Sequence, residues 1–146
     1  MRKLIVYEHI SLDGVIQGPG GPDEDTSGGF ALGGWISPYS DKVLSTLLSE
    51  QLNKPLDLLL GRKTFQIWES YCLQHADGWP RVMSATKYVA SNTLSSSPWQ
   101  HSVFLSGDIP PQMAQIKNLP GPDLHTWGSA TCCKHCSKPT WWMLFG

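Results

Sequence analysis

Three short polar segments combine residue types suited to holding an anion: Gly61-Arg62-Lys63-Thr64, Ser91-Asn92-Thr93 and Gly128-Ser129. In the first, a glycine precedes two cations and a hydroxyl. Glycine lets backbone approach a ligand closely. The N–H groups of a first helical turn favour negative charge, and Arg62 or Lys63 adds charged donors. That set suits a phosphate, and an ordinary strand-to-helix turn with two solvated bases fits it as well. Ser91-Asn92-Thr93 offers hydroxyl and amide groups that either meet a nucleotide phosphate or make a turn. Gly128-Ser129 offers another close backbone approach. There is no G-x-G-x-x-G and no Walker pattern, so neither common nucleotide fingerprint applies.

Among the carboxylates, Asp13 stands best placed, just past a strand end. It is the candidate catalytic residue, orienting a substrate or the loop behind it; the competing reading is a cap on the Asp13-Gly14 turn. His9 reads as a structural histidine, Asp23-Glu24-Asp25 as a solvated loop run, and the tryptophans as core or loop anchors. Of the four cysteines, Cys132, Cys133 and Cys136 crowd the end of the chain while Cys72 stands apart. A secreted disulfide scaffold spreads its cysteines. Cys133 and Cys136 have C-x-x-C spacing with His135 beside them, but a structural zinc site needs a second ligand pair and none is present. No metal is expected.

The elements that must position these segments follow from the pattern. Arg2–Ile10 reads as a strand covered on both faces, because Leu4-Ile5-Val6-Tyr7 is continuously apolar or aromatic. A glycine- and proline-rich loop, functional or mobile, spans 18–34. A helix starts at Ser37-Pro38, carries one apolar stripe of Val43, Leu44, Leu47, Leu48 and Leu52, and stops at Asn53-Lys54-Pro55. Asp57–Leu60 is a short buried strand, and Gly61 to Thr64 opens a second helix through Trp68. Strands follow at 88–90, 103–105 and 124–127, with a helix over 110–117 before the last. Alternating strands and helices predict an α/β domain with a mostly parallel sheet, where ligands collect at the carboxyl ends of strands. All three candidate segments follow a predicted strand.

The chain has 146 residues, 40% of them hydrophobic, and a formal charge of -1. That length fits one domain with a real core. The charge gives no electrostatic case for nucleic acid or an anionic membrane. No apolar run approaches the roughly 20 residues of a spanning helix. Leu4–Tyr7 is too short for a secretory core. The expectation is a cytoplasmic protein acting on a small molecule.

Taken together, Ser11-Leu12-Asp13-Gly14 after a first strand, Gly61-Arg62-Lys63-Thr64, Tyr88 to Thr93, and Trp127-Gly128-Ser129 resemble the dihydrofolate reductase-like superfamily. Leu52-Asn53-Lys54-Pro55 adds to the likeness. The nearest branch is similar to the C-terminal reductase domain of the bifunctional riboflavin biosynthesis protein. The resemblance covers 1–129. It implies a three-layer α/β/α fold and an NADPH-dependent reductase that transfers hydride to a small heterocycle, carbonyl or imine, in the manner of 5-amino-6-(5-phosphoribosylamino)uracil reductase. It also implies that Gly61, Arg62, Lys63, Thr64, Ser91 and Asn92 hold the cofactor's phosphates, that Gly128 and Ser129 meet its pyrophosphate, and that the loop after Asp13 covers the nicotinamide. The protonating carboxylate of true dihydrofolate reductases has no firm match; Asp41 lies near the right helix without aligning to it. This favours a non-folate substrate. Family members are often dimers, so a homodimer is an expectation too.

Past Ser129 the pattern breaks. The family continues Gly-Ser-Gly into a leucine-rich helix and further strands; this chain continues Ala130-Thr131-Cys132-Cys133-Lys134-His135-Cys136. Restoring one base near Ser129-Ala130 and reading in the shifted frame recovers the second glycine. It then gives an amphipathic helical pattern, with Val-Asp forced by Trp141-Trp142-Met143. Residues 130–146 are therefore read as an atypical tail produced by a frameshift. On that reading the sheet lacks its last strands, the fifth strand becomes an open edge prone to aggregation, and part of the substrate pocket is missing. The chain then binds NADPH weakly and turns over poorly. The alternative is a non-catalytic nucleotide-binding or inactive truncated family member.

Overall fold

The computed structural model describes residues 1–128. The readings for Ser129 and for the 130–146 tail lie outside that range. The described residues divide into two compact units, one formed by Met1–Tyr7 with the residues from Leu52 onward, the other by Glu8–Gln51.

The first unit is α/β. Its strands are β1 (Leu4–Tyr7), β2 (Leu56–Gly61), β3 (Lys87–Ala90), β4 (Ser102–Leu105) and β5 (Asp123–Trp127). They form one sheet in the order β1-β5-β2-β3-β4, and every pairing is parallel. The expected α/β class and parallel sheet are therefore present.

Side chains alternate across the sheet and so divide it into two packed faces. On one face Leu59, Leu105 and Leu124 pack with Met113 and Ile116 of the helix Ile109–Asn118. On the other, the helix Arg62–Gln74 sends Phe65 against Phe104 and Trp68 against Trp127. The short helix Pro80–Ser84, which the sequence pattern did not reveal, lies on this second face and buries Val82. Helices on both faces give the three layers. β2 is apolar and buried from Leu56 through Leu60 apart from Asp57, as a strand in the middle of such a stack must be.

Two expectations about strands are corrected. β1 is four residues long, not nine, and each of its residues is only half-buried, because it stands at an edge of the sheet. β5 is not an edge: it lies between β1 and β2. Among the described residues the edges are β1 and β4. The first strand is anchored ahead of its own start, where Arg2 is buried and paired with Asp57 of β2. The other oxygen of Asp57 accepts the Thr86 N–H at 2.9 Å. One buried ion pair thus ties the amino ends of β1, β2 and β3 together, the guanidinium holding β1 to β2 and the carboxylate holding β2 to the residue before β3.

The second unit holds the glycine-rich loop and most of the helix Lys42–Leu52. The loop is closed: Gly34 N–H donates to Gly18 O at 2.8 Å, Ile36 N–H to Pro19 O at 3.1 Å, and the Trp35 indole N–H to Gln17 O at 2.9 Å. Ends fastened this way define a compact Ω-type loop. Gly33 packs so tightly that a Cβ would stand 2.3 Å from Pro22 O. The helix begins later than its sequence suggests. Ser37-Pro38-Tyr39 makes a separate 3-10 turn; Asp41 then caps the helix, its carboxylate accepting the Leu44 N–H at 2.8 Å. The stripe on that helix is only partly covered, with Val43 and Leu47 exposed.

Candidate functional site

Because every strand runs the same way, the carboxyl ends share one edge of the sheet, where ligands of such sheets bind. The register sets what meets there. Gly61 pairs with Ala90, and Leu58 with His125; carrying the second pairing three residues on places Gly61 beside Gly128. Gly128 N–H donates to Tyr7 O at 3.3 Å, and Ser91 N–H to Leu105 O at 2.9 Å, each extending its ladder past the strand end. Gly61 thus ends the strand that lies between β5 and β3, and Gly128 and Ser91 are the residues that follow those two neighbours.

The Gly61-Arg62-Lys63-Thr64 segment is where β2 becomes a helix. Gly61 is the helix N-cap in an extended conformation, and having no side chain it places no capping oxygen over the first turn. Thr64 Oγ1 donates to Gly128 O at 3.2 Å, so the first turn of this helix is fastened to the end of β5. Gly128 adopts φ +59, and a Cβ there would meet only Thr64 Cγ2 at 4.0 Å. Glycine is required for its left-handed backbone and not for space. Arg62 and Lys63 are exposed. The Arg62 guanidinium lies along the helix and donates to Gln66 Oε1 at 3.0 Å.

Ser91 and Asn92 do make a turn. Ser91 Oγ accepts the Leu94 N–H at 2.9 Å and the Thr93 N–H at 3.2 Å. Asn92 Oδ1 accepts the Gly107 N–H at 2.8 Å, joining the exits of β3 and β4. Both residues accept through oxygen in these bonds, which leaves the Ser91 hydroxyl proton and the Asn92 amide as the groups that can donate outward.

Asp13 belongs to the other unit and sits exposed in a local turn. Its carboxylate accepts the Ser11 hydroxyl, Gly14 N–H donates to Ser11 O at 2.9 Å, and Gly14 has φ +86. The backbone acceptor in this turn is Ser11 Oγ, which takes the Val15 N–H at 2.9 Å.

Sequence reasoning missed the aromatic layer beside the glycine edge. Tyr7 and Trp127 stack at 4.2 Å with planes 13° apart, and Trp68, one turn beyond Thr64, lies 5.9 Å from Trp127. The signal was Trp127 immediately before Gly128 and Trp68 four residues after Thr64. Next to this layer His125 is buried, with Nδ1 lacking a partner among the described residues. Burial pushes its pKa down; Asp123 opposes that shift and Lys54 adds to it.

Lys87 was also missed. It opens β3 fully buried, with its ammonium donating to Met83 O at 2.7 Å and Gln100 O at 2.9 Å and lying 4.7 Å from the Trp99 ring centre. Burial lowers its pKa to about 8, against the opposing influence of Cys72 and Asp57. Its partners are structural carbonyls on the amino side of the sheet, far along β3 from Ser91.

No group of three His, Cys, Asp or Glu side chains among the described residues could hold a metal, and Cys132, Cys133, His135 and Cys136 lie outside them. None of the described helices is long and apolar enough to cross a membrane.

No protein-family model matches the sequence. The chain is similar to the uncharacterized protein YyaP of Bacillus subtilis (strain 168), 27% identical over 136 residues, which cover 89% of this chain. The match spans 64% of that relative's length.

Proposed function

We propose that the carboxyl edge formed by Gly61–Thr64, Ser91-Asn92 and Gly128 is a nucleotide-phosphate cradle, and that the protein is an NADPH-dependent reductase of a small heterocyclic, carbonyl or imine compound. The observation that carries this reading is the Thr64–Gly128 hydrogen bond. It holds a glycine-capped helix start with two adjacent cations against a left-handed glycine on the neighbouring strand. That is the chemistry of an anion site: first-turn N–H groups, charge-assisted donors and backbone that a ligand can approach.

The residues fit the cofactor. Arg62 and Lys63 supply charge for phosphate, Ser91 and Asn92 supply neutral donors, and Gly128 supplies close backbone approach. The reduced nicotinamide, when bound, supplies the hydride. The chain's own contribution is to bind and orient it at the sheet edge, and Asp13, held in its turn, is assigned to no proton transfer. Titration of NADPH against tryptophan emission tests binding, because Trp68 and Trp127 adjoin the proposed cradle. Saturable quenching, weakened in Arg62→Ala, is expected; no response over millimolar NADPH overturns the reading.

A second reading, a nucleotide-binding protein without catalysis, is favoured by the exposed, locally bonded Asp13. NADPH oxidation with candidate carbonyl and imine substrates separates the two: binding without oxidation selects the second.

A further inference from the structure

We propose that His125 is an acid-sensitive latch for the carboxyl end of β1, and that its protonation frees Val6 and Tyr7 from β5. His125 is 2% exposed. It sits in the middle of β5, opposite Ile5 of β1 on one side and Leu58 of β2 on the other. The Tyr7 ring tilts against its imidazole at 5.4 Å, and Tyr7 in turn stacks on Trp127. Nδ1 of His125 is buried and meets no hydrogen-bond partner among the described residues. An imidazolium is a donor at both ring nitrogens. A closed layer that offers Nδ1 no acceptor therefore accommodates the neutral ring and disfavours the charged one.

The surroundings do little to offset that. Asp123, on the same strand, favours a charge on the ring, and Lys54, just ahead of β2, opposes it. The Asp123 carboxylate is already engaged, accepting the Lys3 N–H at 2.7 Å. Next to His125, β1 presents Tyr7, a neutral phenol, and β2 presents Leu58, while Asp57 is paired with Arg2. The helix Arg62–Gln74 brings Trp68, uncharged, to the same layer. Burial outweighs Asp123 and holds the ring's pKa below its ordinary 6.5.

β1 is the element that gives way. Among the described residues it pairs with β5 alone, so lifting it breaks one ladder, and each of its side chains is only half-buried. Its amino end is held three times, by the Arg2–Asp57 ion pair, by the Lys3 bond to Asp123 and by Leu124 N–H donating to Lys3 O at 2.9 Å. At its carboxyl end the bond from Gly128 N–H to Tyr7 O is 3.3 Å long. Release therefore begins at Tyr7, and swinging that ring aside admits water to the imidazole. The released form takes up a proton near the ordinary 6.5 and the closed form only at lower pH. Below 6.5 the released form binds more protons, so its share grows as pH falls, by up to about tenfold per pH unit, and levels off once the closed form is protonated too. Above that range the latch is shut. Lys87, whose pKa in the fold is about 8, titrates in a separate window.

The test follows hydrogen exchange of the full chain by mass spectrometry between pH 8 and pH 5, corrected for the intrinsic exchange rate. Exchange in the peptide that covers β1 is expected to speed up as pH falls through 6.5, by as much as about tenfold per pH unit, and to run ahead of the peptide that covers β2. In His125→Gln, whose side chain is polar but takes up no proton, the β1 rate is expected to lose this pH dependence. Should that variant not fold, NMR of the parent chain decides: the His125 ring is expected to titrate below 6.5 while the β2 amides stay protected. A β1 rate that does not respond to pH overturns the proposal. So does an acceleration that β1 and β2 share equally, one that persists in folded His125→Gln, or a His125 ring that titrates at or above 6.5. None of these outcomes bears on NADPH binding.

Discussion

Arg62 and Lys63 differ in what they can give a phosphate. Arg62 presents a planar fork and is already aligned along its helix by Gln66; Lys63 offers a point charge. Losing a charge-assisted bond costs about 1.5–3 kcal/mol. Arg62→Ala is therefore expected to weaken NADPH binding by roughly 10- to 100-fold, with the melting temperature of the free protein unchanged, as read by fluorescence titration and calorimetry. Lys87 predicts a pH effect of a different kind. Its pKa is about 8 in the fold against an ordinary 10.5, so between those values the unfolded chain holds more protons. Stability must then rise with pH through that window from this group's contribution. Urea titrations at pH 8 and pH 10 are expected to show less of this rise in Lys87→Met than in the parent. Arg2 carries a third prediction. Arg2→Ala strands Asp57 without its cation, and the expected loss is about 3–5 kcal/mol in the same titrations.

At the scale of elements, the capping of the helix Lys42–Leu52 and the closure of the loop ahead of it are separate devices. Asp41→Ala removes the acceptor for Leu44 N–H and is expected to cost about 1 kcal/mol, seen as reduced helical circular dichroism on mild heating. The positions of β2 and of the helix Arg62–Gln74 were legible in the sequence, because the apolar run Leu58-Leu59-Leu60 and the glycine at the strand-to-helix junction each have one physical meaning there; β5 was legible as a short segment closed by Gly128. The start of the helix Lys42–Leu52 was not. Ser37-Pro38 has the local chemistry of a helix start, and only the intervening 3-10 turn makes Asp41 the cap instead. The helix Pro80–Ser84 was illegible for a simpler reason: five residues give too little periodicity to read.

For the molecule as a whole, strand order was the hidden quantity. The sequence places five strands along the chain but says nothing about which become neighbours, so the apolar run of β1 was read as interior and β5 as an edge. The candidate site was legible as three separate turns; that Thr64 joins Gly128 depends on β5 inserting beside β2, which no local pattern encodes. The same insertion sets an order of events during synthesis. Leu4 pairs with Leu124, so the first strand to leave the ribosome must wait for one of the last described residues before it has a neighbour. Until then an apolar segment is carried on a nascent chain with nothing to pair with, which slows folding and leaves the segment available to chaperones.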